Sequence, residues 1–274
     1  MSQSNPLQKF FRQAKVYITL PSKGLYYEPG ALIGDYNNVP VFAMSGMDEI
    51  IMKTPDALFT GEATAKVIES CCPYIKNAKT MPSIDIDALL IAIRIATFGD
   101  IMSVSHRCPQ CGAENDYDIE LSKLLDYFNS LKFVNTITVS SALTIRIRPL
   151  QYEEMSYFSI ENFKLQKTLF QTADLSDDNR QQQIDKIYKD LSELQLQLFL
   201  TAVESVQIDN TVVTEKLHIE EWLRNTERDT YKLIKTKLEE NKEVWSIPSQ
   251  PVMCSSCNAE NSITVALDQA NFFV

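Results

Sequence analysis

Apolar positions alternate early in the chain, where Val16-Tyr17-Ile18-Thr19-Leu20 predicts a strand broken by Pro21-Ser22-Lys23-Gly24. Residues 24–40 carry Gly30, Gly34, Asn37, Asn38 and Pro40 and predict a loop-rich stretch with a short hairpin. The period then lengthens. Thr54-Pro55-Asp56 reads as an N-cap, a proline at the first helical position and an acid in the first turn. Gly61 separates that short helix from one over roughly 62–72, which Pro73 stops. A third helix begins near Ser83, with Asp85 and Asp87 at its positive end, and runs through Ala88-Leu89-Leu90-Ile91-Ala92-Ile93 to Phe98 and Gly99. Its apolar character on all sides predicts the central helix of a core.

The period of two returns at 101–105, 117–121, 133–139 and 143–147, with a helical stretch near 122–128. From about 152 to 243 the pattern is mainly helical. Ile184, Ile187, Tyr188, Leu191, Leu194, Leu198 and Ala202 recur at steps of three and four as one apolar stripe. Residues 206–213 predict a hairpin turning at Asp209-Asn210, and a helical pair runs from about Ile219 to Asn241. Strand character returns over 252–274. The expected class is α+β, in three parts. These are a strand, loop and helical part at 1–100, a β-rich zinc-ribbon-like module from 101–150 plus 246–274, and a helical insertion at 151–245.

Composition removes several functional classes. The 274 residues hold 26 Lys+Arg against 36 Asp+Glu, a formal charge of −10, which disfavours sequence-independent binding to a polyanion. Only 7 glycines are present, where average usage of about 7% would supply roughly 19. Neither a dinucleotide fingerprint nor a Walker A loop occurs. With His106 and His218 as the two histidines, histidine-based zinc hydrolysis has too few ligands. The apolar run 88–96 is too short to cross a bilayer and contains Arg94, for which Asp48, Glu49 and Asp100 are the candidate partners. Residues 1–15 lack the apolar core of a signal peptide, so the chain is expected to stay in the cytoplasm of the cell that makes it. Trp222 and Trp245 are expected in packing roles.

Cysteine spacing supplies the strongest chemical signal. Cys108-Pro109-Gln110-Cys111-Gly112-Ala113-Glu114-Asn115 and Cys254-Ser255-Ser256-Cys257-Asn258-Ala259-Glu260-Asn261 share the form Cys-x-x-Cys-(Gly/Asn)-Ala-Glu-Asn. Gly112 and Asn258 tolerate the positive φ that such a turn demands. Two such knuckles supply Cys108, Cys111, Cys254 and Cys257, the complete thiolate shell of one structural zinc per chain, with no open position for catalysis. The alternative is two unrelated pairs of reduced thiols, and the repeated Ala-Glu-Asn favours zinc. The gap between the pairs far exceeds the roughly 15–20 residues of an ordinary ribbon, so the metal would pin both ends of the helical insertion. Cys71 and Cys72 are expected as small buried hydrophobes at a helix end. The aromatics Phe10-Phe11 and the C-terminal Asn271-Phe272-Phe273-Val274 are candidate partner anchors, with packing back onto the chain's own core as the equal alternative.

Several marks occur in one order: Tyr17-x-x-Leu20-Pro21-Ser22-x-Gly24, Met47-Asp48-Glu49, Thr54-Pro55-Asp56-Ala57-Leu58, Ile93-Arg94-x-x-Thr97-Phe98-Gly99, the two knuckles, and Asn271-Phe272-Phe273. In these the chain resembles the baseplate hub and tail-assembly protein family of T-even-type contractile-tailed bacteriophages, over nearly its whole length. The resemblance implies a late viral protein, not an enzyme, that contacts other baseplate hub or tail proteins in the host cytoplasm or in the virion tail. No nucleic acid and no membrane-spanning segment are expected. A cytosolic zinc-ribbon adaptor of a transcription or RNA-processing complex is the alternative, and the charge of −10 counts against it.

Overall fold

The computed structural model describes residues 5–53, 60–172, 177–265 and 273, with backbone alone for 177–179. The predicted helix start at Thr54-Pro55-Asp56 lies outside the described residues. Helices and small antiparallel sheets are mixed, and the chain divides into two compact units, 1–131 with 246–274 and 132–245.

In the first unit, β1 (Ala14–Ile18) pairs antiparallel with β2 (Val39–Phe42), which places Ile18 opposite Val39. β2 follows the loop-rich stretch, and its Val39 and Val41 are fully buried. α1 (Gly46–Met52) opens with a capping box, in which the Ser45 side chain and Asp48 satisfy each other's backbone N–H groups. α2 (Glu62–Cys71) and α3 (Ile86–Phe98) follow. α3 is the expected core helix: Leu89, Ile91, Ala92 and Ile93 have no exposure, and β1, β2, α2 and α4 (Leu121–Ser130) pack around it. The Arg94 guanidinium lies 4.4 Å from the Phe98 ring centre. Two of its expected partners have other bonds of their own. Asp100 caps α4 through the Ser122 N–H and Oγ, at 2.7 and 2.8 Å. Asp48 accepts from Arg12 at 2.9 Å, and the same guanidinium reaches the carbonyls of Ala43 and Ser70. Arg12 thereby ties the segment before β1 to the ends of β2 and α2.

A second buried polar cluster fixes the turn after β1. Asp85 accepts from the Ser22 N–H at 2.7 Å, the Ser22 Oγ at 2.6 Å and the Tyr27 OH at 2.9 Å. Burial nevertheless dominates and lifts the Asp85 carboxyl to about 6. A raised carboxyl means that the folded state binds the proton more tightly than the unfolded chain. Its contribution to stability is complete below the ordinary carboxylate value and is lost as pH rises through about 6. Asp85→Asn is expected to flatten stability against pH between about 4 and 6. Asp85→Ala, which strands two buried donors of Ser22 and the partly buried Tyr27 hydroxyl, is expected to cost about 3 kcal/mol at neutral pH. Denaturant titrations across that range check both; an unchanged pH slope in the Asn variant would remove the assignment.

The second unit is built on an antiparallel sheet in the order β5 (Thr136–Thr138), β6 (Leu143–Ile147), β7 (Val203–Ile208), β8 (Thr211–Val213). β5 and β6, expected with the cysteine-bearing module, thus pair with a strand from beyond the long helices: Ile145 stands opposite Val206. The register satisfies a buried face that alternation reveals but cannot assign to a partner. Asp209, at φ 47°, makes the predicted β7–β8 turn. α5 (Tyr152–Gln171), α6 (Asp177–Ala202), α7 (Lys216–Asn225) and α8 (Arg228–Val244) complete the unit. Ile137, Ile145, Ile147, Leu196, Phe199, Val203, Val206, Ile219, Leu223 and Ile234 form its core, with Trp222 packed against them.

The apolar stripe predicted on α6 is corrected by this packing. Ile187 and Ala202 are buried, but Tyr188 is 57% exposed, and Leu196 and Phe199 supply the deep contacts. α6 packs against α5, α7 and β7, so different stretches of its surface are covered by different partners.

Candidate metal centre

The two cysteine pairs sit at the tips of two hairpins of the first unit. β3 (Ile101–Arg107) and β4 (Glu114–Glu120) pair without interruption from Ile101↔Glu120 to Arg107↔Glu114. β9 (Gln250–Met253) and β10 (Glu260–Ile263) pair from Ile263↔Gln250 to Glu260↔Met253. Each last pair brackets a loop with the same backbone wiring. The N–H groups of Cys108 and Cys254 donate to the carbonyls of Ala113 and Ala259, and those of Gly112 and Asn258 donate back to the carbonyls of Cys108 and Cys254, all at 2.9 Å. Gly112 at φ 74° and Asn258 at φ 55° occupy the left-handed region, as the sequence predicts. The Tyr117 hydroxyl donates to the Met253 carbonyl at 3.1 Å and joins the two hairpins.

The four sulfurs converge. Cys108 Sγ lies 3.8 Å from Cys257 Sγ, Cys111 Sγ lies 3.7 Å from Cys254 Sγ, and all four lie within 4.8 Å of one another. A tetrahedron with metal–sulfur bonds of about 2.3 Å has edges of about 3.8 Å, close to the two distances given, and the group is compact enough to hold one metal ion. Soft thiolates in this geometry favour zinc over hard cations. Cys108 and Cys254 are buried, while Cys111 and Cys257 are open to solvent. His106 stands on β3 opposite Asn115, outside the four-sulfur group.

Electrostatics reinforce the geometry. The backbone N–H groups of Cys111 and Gln110 outweigh burial and draw the Cys108 thiol down to about 6. Those of Cys257 and Ser256 lower Cys254 in the same way. Cys257 moves the other way. The Ala259 N–H pulls it down, but hydrogen bonding of its proton with Cys111, burial, and its contacts with Cys254 and Cys108 lift it to about 12. The opposite shifts of Cys108 and Cys257 reflect competition between close sulfurs for a proton. A bound dication favours deprotonated cysteine ligands.

The other cysteines take no part. Cys71 and Cys72 are wholly buried; burial first, and then Asp48, pushes the Cys71 thiol up to about 12, and burial also raises Cys72. Neither supplies a thiolate at neutral pH. Phe10 and Phe11 are exposed, whereas Phe273 is buried; Asn271, Phe272 and Val274 lie outside the described residues. No helix among the described residues is long and apolar enough to cross a membrane. Two residues that the residue chemistry of the cysteines alone does not reveal, Asn115 and Asn261, reach sulfur atoms of the cluster. The repeated Ala-Glu-Asn was the sequence signal that marks them.

The fold and the cluster define a mixed helix-and-sheet protein whose paired hairpins gather four cysteines in an arrangement able to hold a metal ion. A family model described as T4 bacteriophage base plate protein matches residues 38–274, and the chain belongs to that family. The resemblance seen in the ordered sequence marks is thus borne out at the level of a phage baseplate protein. No curated protein sequence and no solved structure is significantly similar to the chain.

Proposed function

We propose that the chain acts in building the baseplate hub, as a structural subunit or an assembly factor, through protein–protein contacts and without turnover of a substrate. Membership of the baseplate family over residues 38–274 is the observation that carries this reading. One zinc on Cys108, Cys111, Cys254 and Cys257 staples the two hairpins, a closed role because four protein ligands leave no position for a substrate. The partners are other hub or tail proteins, met in the host cytoplasm during assembly and, for a retained subunit, in the virion tail. The net charge of −10 opposes nucleic acid as a partner.

Exposed aromatics at the N-terminal end offer a contact point. Leu7 and Phe10 lie within the short turn Pro6–Phe10 and Phe11 follows it; they are 60%, 74% and 56% exposed and precede the Arg12 anchor. Aromatic side chains dominate interface energies when a partner buries them. The test is affinity capture of the tagged chain from infected cells, followed by mass spectrometry of the captured proteins and of purified particles. Hub or tail proteins are expected in the capture. The double variant Phe10→Ala/Phe11→Ala is expected to reduce their recovery at least 10-fold with zinc content unchanged. Capture free of baseplate proteins would overturn the assembly role, and undiminished capture by the variant would overturn the anchor.

A further inference from the structure

The two knuckles are locked together by asparagines that reach across the cluster. Asn115, which follows the first cysteine pair, donates through Nδ2 to Cys254 Sγ of the second pair at 3.5 Å. Asn261, which follows the second pair, donates through Nδ2 to Cys108 Sγ of the first at 3.6 Å. The exchange is reciprocal, and each asparagine finds the first, buried cysteine of the opposite knuckle. Each also donates to the alanine carbonyl of its own loop, Asn115 to Ala113 at 3.1 Å and Asn261 to Ala259 at 3.4 Å.

The two sites are not equal. The Asn115 Oδ1 accepts from the Ser255 N–H at 3.0 Å and from the Ser255 Oγ at 2.6 Å. All four hydrogen-bonding positions of this buried amide are therefore filled, which fixes which end is nitrogen. Cys254 Sγ is nearer to Nδ2 than to Oδ1, at 3.5 against 3.8 Å, so the donor end faces the sulfur. The position equivalent to Ser255 in the first knuckle is Pro109, which has neither an N–H nor a hydroxyl to offer Asn261.

We infer that Asn115 and Asn261 are positioning residues of the metal site, each orienting the sulfur of a cysteine of the opposite knuckle, and that Asn115, clamped by Ser255, is the stronger. This rests on the proposed zinc site. A thiolate that accepts an amide N–H carries less negative charge onto the metal, and its orientation is fixed before the ion arrives; partners of this outer kind contribute about 10–100-fold to metal affinity. The reciprocity also makes binding cooperative between hairpins, since neither knuckle is complete without the asparagine of the other.

The experiment uses the full chain, zinc in competition with a chromophoric chelator, and cobalt(II) as the spectroscopic probe. Asn115→Ala is expected to weaken zinc binding about 10–100-fold, and Asn261→Ala by less, near the lower end of that range. Ser255→Ala, which keeps the backbone donor to Asn115, is expected to weaken it a few-fold. In both asparagine variants the sulfur-to-cobalt charge-transfer band should move to lower energy, because a thiolate stripped of its hydrogen bond gives up an electron more readily. A purely structural asparagine would leave that band in place. Should Asn115→Ala fail to fold, Asn261→Ala and Ser255→Ala carry the test. Affinities within two-fold of the unaltered chain, or unmoved bands, would overturn the positioning role, and a larger loss in Asn261→Ala than in Asn115→Ala would overturn the asymmetry. An unaltered chain that takes up neither metal would overturn the zinc site itself, an outcome distinct from normal uptake with indifferent asparagines.

Discussion

The chain carrying Cys254→Ser is expected to lose more than about 100-fold in zinc affinity, since even the partners behind a ligand contribute about 10–100-fold. Unaltered protein should hold one zinc. Cys254 is the fitting target because it is buried, lies 3.7 Å from Cys111 Sγ, and receives both backbone N–H groups of its own turn and the Asn115 amide. Hairpins of four and seven residues per strand are marginal structures alone. Metal binding in small modules contributes roughly 10–16 kcal/mol, coupled to folding. If a quarter of that is lost here, about 3 kcal/mol, the melting of the first unit should fall by about 6–12 °C. Hydrogen exchange should then quicken over 101–120 and 250–263. The long sequence gap suggests that the helical insertion would loosen as well, but its separate core leads to the opposite expectation, that amides of β6 and β7 keep their protection. Zinc uptake close to that of the unaltered chain would remove the four-thiolate assignment, and exchange quickening equally in β6 and β7 would remove the independence of the second unit.

The complementary experiment strikes the second unit and leaves the cluster alone. Phe199→Ala is expected to cost about 3–5 kcal/mol, the range for truncating a buried aromatic ring. Phe199 has no exposure and its ring centre lies 5.0 Å from that of Tyr231, a contact that adds about 0.5–1.5 kcal/mol beyond area burial. A unit of this size loses several degrees per kcal/mol, so its thermal transition should drop by about 15 °C or more while zinc content holds. Calorimetry with metal analysis on the same sample reads both. If zinc falls with the transition, the two units do not fold as separate cores.

Local signals were dependable wherever a residue's own chemistry decides the conformation. Gly112 and Asn258 mark the left-handed turns, Asp209 marks the β7–β8 turn, and the all-round apolar pattern of 86–98 marks the core helix. The four cysteines were legible because spacing of two residues and the repeat after them are one-dimensional facts. Three things were not. β2 was obscured by Pro40 and its loop-rich approach. Arg12 shows nothing in sequence of its bonds to Ala43, Asp48 and Ser70, which lie 31 to 58 residues away. The deep contacts of α6 passed from the predicted stripe to Leu196 and Phe199, because helical periodicity gives the faces of a helix but not the partners that cover them.

What the sequence by itself determined is therefore most of the elements, the two matching cysteine pairs and the family resemblance, all of which depend on residue type and short spacing. The tertiary structure decided pairings. It joined 143–147 to 203–208 across two long helices, brought Cys111 beside Cys254, and turned the repeated asparagine of each knuckle toward the cysteine of the other. The physical reason is that a strand's alternation or a knuckle's turn specifies a surface or a ligand pair, whereas its partner is selected by burial and hydrogen bonding between segments far apart in the chain.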